Sequence, residues 1–176
     1  MKSRKRRACL KRKNTRDTKA LEGLFARYAK DYTTATRIFE ELVREYPSYP
    51  FATANLALVL TESGDTNARR RANELAEANV KQNQRSADAR AIFAYCLFKS
   101  GRTADAEKVA RSTMGLEQIT PDAAYFVAKV LADRGDYEQA HKIAKAACES
   151  KGAFVYRKEG EALLAELDQK LPPPKK

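Results

Sequence analysis

Three glycines at matching places in a repeated pattern constrain the fold of this chain more than any other feature. Gly101 and Gly135 are thirty-four residues apart, and Gly64 ends a similar stretch upstream. Eight, seven and four residues before each glycine stand a large, a small and a large apolar residue. A period of about 34 residues is typical of helix–turn–helix units that stack into a solenoid. The sequence therefore predicts a helical hairpin around each glycine.

Alanine is the small residue in each pattern, and it indicates where two helix axes approach closely. The three sets before the glycines are Leu56, Ala57 and Leu60, then Phe93, Ala94 and Leu97, then Val127, Ala128 and Leu131. After Gly101 and Gly135, alanines follow at five and nine residues: Ala106, Ala110, Ala140 and Ala144. After Gly64, the corresponding Ala72 and Ala76 come three residues later. This delay predicts a second helix that is longer by about one turn.

The pattern resembles the tetratricopeptide repeat (TPR) over roughly residues 20–152. The TPR family has a large–small pair on its first helix, a turn glycine, and alanines on its second helix. This chain has no Trp, and Thr53, Arg90 and Ala124 stand where the family has its leading aromatic residue. The resemblance implies an all-α superhelical solenoid rather than an irregular alanine-rich bundle, which would not keep a fixed period.

The repeat pattern also divides the chain into segments. We expect a flexible basic arm, about four repeats, a C-terminal capping helix and a Pro/Lys tail. Their ranges are 1–19 for the arm, 20–49, 50–86, 87–120 and 121–154 for the repeats, 155–171 for the cap and 172–176 for the tail. The cap would face the last repeat through Val155, Leu163, Leu167 and Leu171, since a solenoid needs a terminal unit with a polar outer face.

The first helix of the first repeat fits the pattern poorly. With the turn at Lys30, Glu22 would fall at a large buried position. A turn two residues shorter places Leu24, Phe25 and Tyr28 in the buried set instead, and we expect this second register.

Side chains suited to catalysis or metal binding are sparse. His141 is the one histidine, expected at the surface, and Cys9, Cys96 and Cys148 form no CxxC pair. Metal sites of the His-x3-His kind need a second histidine. We therefore predict a non-catalytic chain with no cofactor and no metal. Three unpaired cysteines, no secretory signal and no apolar run of transmembrane length favour an intracellular, reducing compartment, the cytoplasm or the nucleus.

In the TPR family the first helices line a concave groove that holds a peptide of another protein. The resemblance implies a peptide-binding groove at Asn55, Leu58, Glu62, Ile92, Tyr95, Lys99, Tyr125, Phe126 and Lys129. For Tyr95 and Phe126, packing between repeats is the alternative interpretation. One TPR subtype grips the acidic tail of chaperones with a carboxylate clamp. Asn55 fits that clamp, but Asp88, Ile92 and the first-repeat positions do not, so we exclude chaperone-tail binding.

Residues 1–19 carry most of the net charge. They hold ten Lys or Arg and one Asp, a net charge of +9 out of +11 for the whole chain. Such a block binds phosphates without base specificity, and the candidate contacts are Arg4, Lys5, Arg6, Arg7, Lys11, Arg12 and Lys13. The sequence thus predicts a protein-interaction scaffold or, alternatively, a nucleic-acid- or ribosome-associated adaptor. Anionic lipid and an import receptor are further candidates for the partner of the arm.

Overall fold

The structure is a computed structural model that describes residues 15–116 and 118–171. Over these residues the chain forms nine α-helices and no β-strand. The helices are α1 Arg16–Tyr28, α2 Tyr32–Glu45, α3 Pro50–Ser63, α4 Thr66–Gln82, α5 Ala87–Lys99, α6 Thr103–Arg111, α7 Pro121–Asp133, α8 Tyr137–Glu149 and α9 Arg157–Lys170. The prediction of an all-α fold is confirmed.

Eight of the helices form four consecutive hairpins, α1–α2, α3–α4, α5–α6 and α7–α8, and α9 packs against α8. The first helix of each hairpin also contacts the first helix of the next one, from α1 through α3 and α5 to α7. These four helices therefore form one continuous layer, which is the arrangement of a solenoid.

The turn glycines have the backbone conformation that the pattern requires. Gly64, Gly101 and Gly135 all have positive φ angles, between 78° and 100°. Alanines at the predicted small positions, Ala57, Ala94 and Ala128, are fully buried. The longer second helix of the second repeat is also present, since α4 has 17 residues and α8 has 13.

The register expected for the first repeat is wrong. Lys30 has a φ of 60° and occupies the turn position that glycine holds in the other hairpins. Phe25 and Tyr28 are exposed, at 71% and 46% of their full area, while Glu22 lies at the surface and Leu24 is half-buried. The buried side of α1 consists of Ala20, Gly23 and Arg27.

Gly23 explains why this register is the stable one. It lies seven residues before Lys30, at the position of the small residue in the other repeats. A Cβ atom built there would lie 2.8 Å from Cζ of Phe39, which is fully buried on α2. The two helices therefore pack more closely at this point than an alanine would permit.

The C-terminal cap forms as predicted, although α9 begins at Arg157 rather than at residue 155. Leu163 and Leu167 are buried, whereas Val155 and Leu171 are half-buried. Gly160 lies under Phe154, and a Cβ atom there would lie 2.7 Å from the Phe154 ring.

The start of α1 differs from the expected boundary of the basic arm. Helix α1 begins at Arg16, inside the segment assigned to the arm, and Thr15 caps it by accepting a hydrogen bond from the Thr18 amide. None of the helices that residues 15–116 and 118–171 form is both long enough and apolar enough to cross a bilayer.

Candidate peptide-binding groove

An open cavity of about 390 Å³ lies along the layer of first helices. Helices α1, α3, α5 and α7 and the loop before α9 all contribute to its wall. The larger apolar side chains that line it are Leu24, Phe51, Leu58, Ile92, Phe126 and Val155. A cavity of this size, mainly apolar and open to solvent, suits a few side chains of a bound segment.

Four of the nine residues predicted for the groove line this cavity: Asn55, Leu58, Ile92 and Phe126. Glu62, Tyr95, Lys99, Tyr125 and Lys129 do not line it. Asn55 is buried, and its Nδ2 donates a hydrogen bond to the Phe51 carbonyl oxygen at 2.8 Å. Its amide group is therefore already engaged by its own helix.

Tyr95, Glu62 and Lys99 form a polar cluster beside the cavity. The Tyr95 hydroxyl donates to Oε1 of Glu62 at 2.7 Å, and Lys99 Nζ lies 3.9 Å from the other carboxylate oxygen. Burial raises the pKa of Tyr95 far above its usual value, and the Glu62 charge adds to this shift. Tyr95 therefore stays protonated and donates to Glu62 at any physiological pH.

A chain of stacked aromatic rings joins the last repeats to the segment before α9. The Tyr95 and Phe126 centroids are 4.3 Å apart, Phe126 meets Tyr156 edge-on at 5.0 Å, and Tyr125 stacks on Tyr156 at 5.4 Å. Tyr95 is only 5% exposed and Phe126 only 1%. This burial agrees with the packing interpretation of these two rings, because such contacts stabilise the interface between repeats.

Two aspartates on the cavity wall hold neighbouring segments in place. Asp88 Oδ1 accepts a hydrogen bond from the Thr120 amide at 2.9 Å, and Asp122 Oδ1 accepts from the Val155 amide at 2.7 Å. Burial raises the pKa of Asp122, although its backbone hydrogen bonds and the charge of Arg27 act in the opposite direction. Both carboxylates have a structural role in shaping the cavity.

Arg27 is the wall residue that the sequence pattern did not reveal. It lies on the buried side of α1, and its Cζ is 5.9 Å from the centre of the Tyr156 ring. Charged residues usually lie at the surface, so residue type alone gives no signal for the burial of Arg27. The correct register, with the turn at Lys30, would have placed Arg27 at the position of the buried Thr61 in the next repeat.

Among the described residues, His141, Cys96 and Cys148 do not line the cavity. Within the described segments, no group of three or more His, Cys, Asp or Glu residues is arranged to hold a metal ion. His141 is half-buried rather than exposed, with Nε2 2.8 Å from Oδ1 of Asp168. Cys96 is fully buried, and burial raises its pKa to about 12, so the thiol remains protonated. The seven cations predicted to contact phosphate lie outside the described residues.

No family model matches the chain, and no curated protein matches its sequence. Several solved structures match the fold. TTC0263, a thermophilic TPR protein of Thermus thermophilus, has a TM-score of 0.72 at 15% identity, over 93% of this chain and 87% of that one. YrrB, described as a TPR protein with an unusual peptide-binding site, has a TM-score of 0.54 at 19% identity, over 85% and 71%.

MamA is a third similar structure, with a TM-score of 0.50 at 20% identity, over 84% of this chain and 82% of that one. The chain therefore has the fold of tetratricopeptide repeat proteins, and the resemblance drawn from the turn glycines and alanines is confirmed at the level of the fold.

Proposed function

We propose that this protein is a non-catalytic scaffold that binds a segment of another protein in the cavity along α1, α3, α5 and α7. The observation that carries this proposal is the cavity itself, which is apolar, open and lined by the first helix of every repeat. YrrB has the same fold and a peptide-binding site by its description, which supports the same kind of use here.

Exposed apolar side chains beside the cavity add to this argument. Phe51 and Tyr28 line it and remain 37% and 46% exposed, and Leu21 and Phe25 continue the apolar surface along α1. Large aromatic side chains that stay accessible next to a pocket are typical anchors of protein interfaces. A bound segment would cover them.

The test compares two exposed aromatic residues. Phe51→Ala removes a ring from the cavity, and Tyr46→Ala removes an equally exposed ring that does not line it. Proteins captured from lysate by the unaltered chain are identified by mass spectrometry, and capture is repeated with both variants. We expect Phe51→Ala to lose the specific partner and Tyr46→Ala to keep it. Equal capture by both variants would contradict the proposed groove.

The basic arm favours a second candidate function, an adaptor anchored to RNA or another polyanion through residues 1–19. Its support is the charge of this segment alone, a net +9 within nineteen residues. A variant that begins at Asn14 removes most of the charge and keeps Thr15, the cap of α1. If the arm is the anchor, this variant loses RNA binding in a filter-binding assay and keeps its melting temperature. Unchanged RNA binding would exclude this role.

A further inference from the structure

Arg27 is a buried cation with no ion-pair partner among the residues that the structure describes. Only 6% of its surface is exposed, and its Nε and Nη1 atoms are buried without a hydrogen-bond acceptor in the described part of the chain. No carboxylate of those residues forms an ion pair with it. Burying a charge without compensation is costly, and buried arginines are normally paired. An anion from outside the chain would supply the missing partner.

Tyr156 and Asp122 interact with Arg27, but neither supplies a hydrogen-bond acceptor for it. Arg27 Cζ lies over the Tyr156 ring, but its distance of 5.9 Å from the ring centre is near the outer limit for a cation–π contact, about 6 Å. The charge of Arg27 lowers the pKa of Asp122, but the Oδ1 atom of Asp122 accepts hydrogen bonds from the Val155 and Tyr156 amides rather than from Arg27. Arg27, which lines the cavity, thus keeps two guanidinium nitrogens without an acceptor in the described part of the chain.

Arg27 lies where two cavities meet. The first cavity is the apolar one along the layer of first helices. The second, of about 600 Å³, lies between the α1–α2 turn and the start of α9, and Arg27, Tyr28 and Val155 line both. A segment of chain can therefore pass the guanidinium and continue on either side of it. This geometry favours an acidic side chain within a segment over a terminal carboxylate.

The second cavity has an excess of positive charge. Arg27, Lys30, Arg157 and Lys158 line it, against two carboxylates, Glu159 and Glu161. Arg157 donates to the carbonyl oxygens of Cys148 and Ser150, and its Nη1 lies 3.9 Å from Oε1 of Glu161, one of the two carboxylates already counted. The second cavity thus attracts acidic groups, whereas the first accepts apolar ones.

We propose that the groove binds a partner segment in which an internal Asp or Glu carboxylate pairs with Arg27, and adjacent apolar side chains fill the first cavity. This proposal rests on the proposed function and specifies the chemistry of its partner. Hydrogen bonds between an arginine and a carboxylate are charge-assisted and gain strength where water is excluded. Arg27 stands three residues before the turn, outside the first-repeat positions of the chaperone-tail clamp.

The test uses a phage-displayed library of random short peptides, selected on the immobilised full-length protein. Selected peptides are labelled with a fluorophore, and their affinities are measured by fluorescence anisotropy. The protein variants are Arg27→Gln, Phe51→Ala and, as a matched control, Arg44→Gln, which changes an exposed arginine on α2. Each peptide is also made with its acidic residue replaced by the corresponding amide.

We expect the selected peptides to combine an acidic residue with apolar neighbours. Arg27→Gln should weaken their binding about tenfold or more, since a charged hydrogen bond is lost, and Arg44→Gln should leave it unchanged. The amide peptide should bind the unaltered protein as weakly as Arg27→Gln binds the acidic peptide. With both changes present, no further loss should appear, because the two groups form one interaction.

Two other outcomes separate the two proposals. Peptides that lose binding with Phe51→Ala but not with Arg27→Gln would overturn the acidic-partner inference and leave the groove function standing. A selection without groove-dependent peptides would count against the groove function itself.

A second measurement tests the inference without any peptide. Arg27→Met keeps most of the side-chain volume and removes the charge, so it should raise the thermal midpoint of the free protein. A lower midpoint would mean that Arg27 serves the fold rather than a ligand and would overturn the inference.

Discussion

Asp88 and Asp122 lie thirty-four residues apart and accept equivalent backbone hydrogen bonds in successive repeats. Each stands near the start of a first helix and accepts a hydrogen bond from the backbone of the segment that leads to the next first helix or to the cap. Asp88 fixes Thr120, the N-cap residue of α7, and Asp122 fixes Val155 before α9. The repeat therefore encodes the spacing between hairpins as well as their packing.

Asp122→Asn tests the electrostatic side of this contact. The amide oxygen still accepts the two backbone hydrogen bonds, but the buried charge is gone. Because burial raises the pKa of Asp122 in the folded protein, the folded state holds this proton more tightly than the unfolded chain. Below the unfolded pKa of about 4 the group is protonated in both states, and the destabilisation by its charge develops as pH rises through the folded pKa.

We therefore expect Asp122→Asn to gain stability relative to the unaltered protein between about pH 4 and pH 7. Urea unfolding at several pH values, followed by circular dichroism, measures this difference. A stability difference that is independent of pH would show that the carboxylate charge has no net effect on folding, and one that narrows as pH rises would show that the charge is favourable; either result would contradict the prediction.

Gly23→Ala tests the register of the first repeat. The added Cβ would lie 2.8 Å from the Phe39 ring, whose buried position leaves little room to move. Overpacking of this kind costs about 1–3 kcal/mol, even though alanine by itself favours a helix. Chemical denaturation should show this loss, whereas Ala29→Gly, just after α1 at an exposed site, serves as the control. A stabilised Gly23→Ala protein would contradict the close approach of α1 and α2.

Lys30→Gly tests the first turn. Lys30 has a φ of 60°, in the left-handed region where a side chain is strained, and the other three hairpins have glycine there. Relief of this strain is worth about 1–2 kcal/mol, and the greater freedom of glycine in the unfolded chain offsets roughly half of it. The substitution should therefore raise the free energy of unfolding by up to about 1 kcal/mol. A drop in stability would mean that the Lys30 side chain makes a contact that the fold requires.

The stability change expected for Arg27→Met has a predicted magnitude as well as a direction. An unsatisfied buried charged group costs about 1–3 kcal/mol or more, so its removal should stabilise the free protein by a similar amount. Differential scanning calorimetry of the purified protein provides the value, with Arg44→Gln as the control for a charge change at the surface.

The sequence was sufficient to predict the register of the repeats that have a glycine at the turn and an alanine at the close contact between helices. It predicted the small positions at Ala57, Ala94 and Ala128, the longer α4 and the capping helix, because each depends on local spacing. It failed in the first repeat, where Lys30 stands at the turn and Gly23 at the close contact. There the residue types usual at these two positions are replaced, and the φ of Lys30 and the packing of Gly23 on Phe39 reveal the register in the structure.

The candidate site was less predictable than the fold. Whether a first-helix residue lines the cavity depends on the rotation between repeats and on the path of the segment before α9, which local spacing does not specify. Tyr95 is therefore buried against Phe126, and Tyr125 against Tyr156, rather than open to the cavity. Arg27 was overlooked because its burial requires both the correct register and the nearby C-terminal segment.

The most direct test of the groove is photocrosslinking from inside the cavity. A benzoylphenylalanine replaces Phe51 in the full-length protein, and the same residue replaces Tyr46 outside the cavity as the control. Irradiation in lysate should give a defined crosslinked partner from position 51 and none from position 46, and Arg27→Gln should reduce the yield at position 51. Identical crosslinks from both positions, or crosslinks from position 46 alone, would contradict the central claim that partners bind in this cavity.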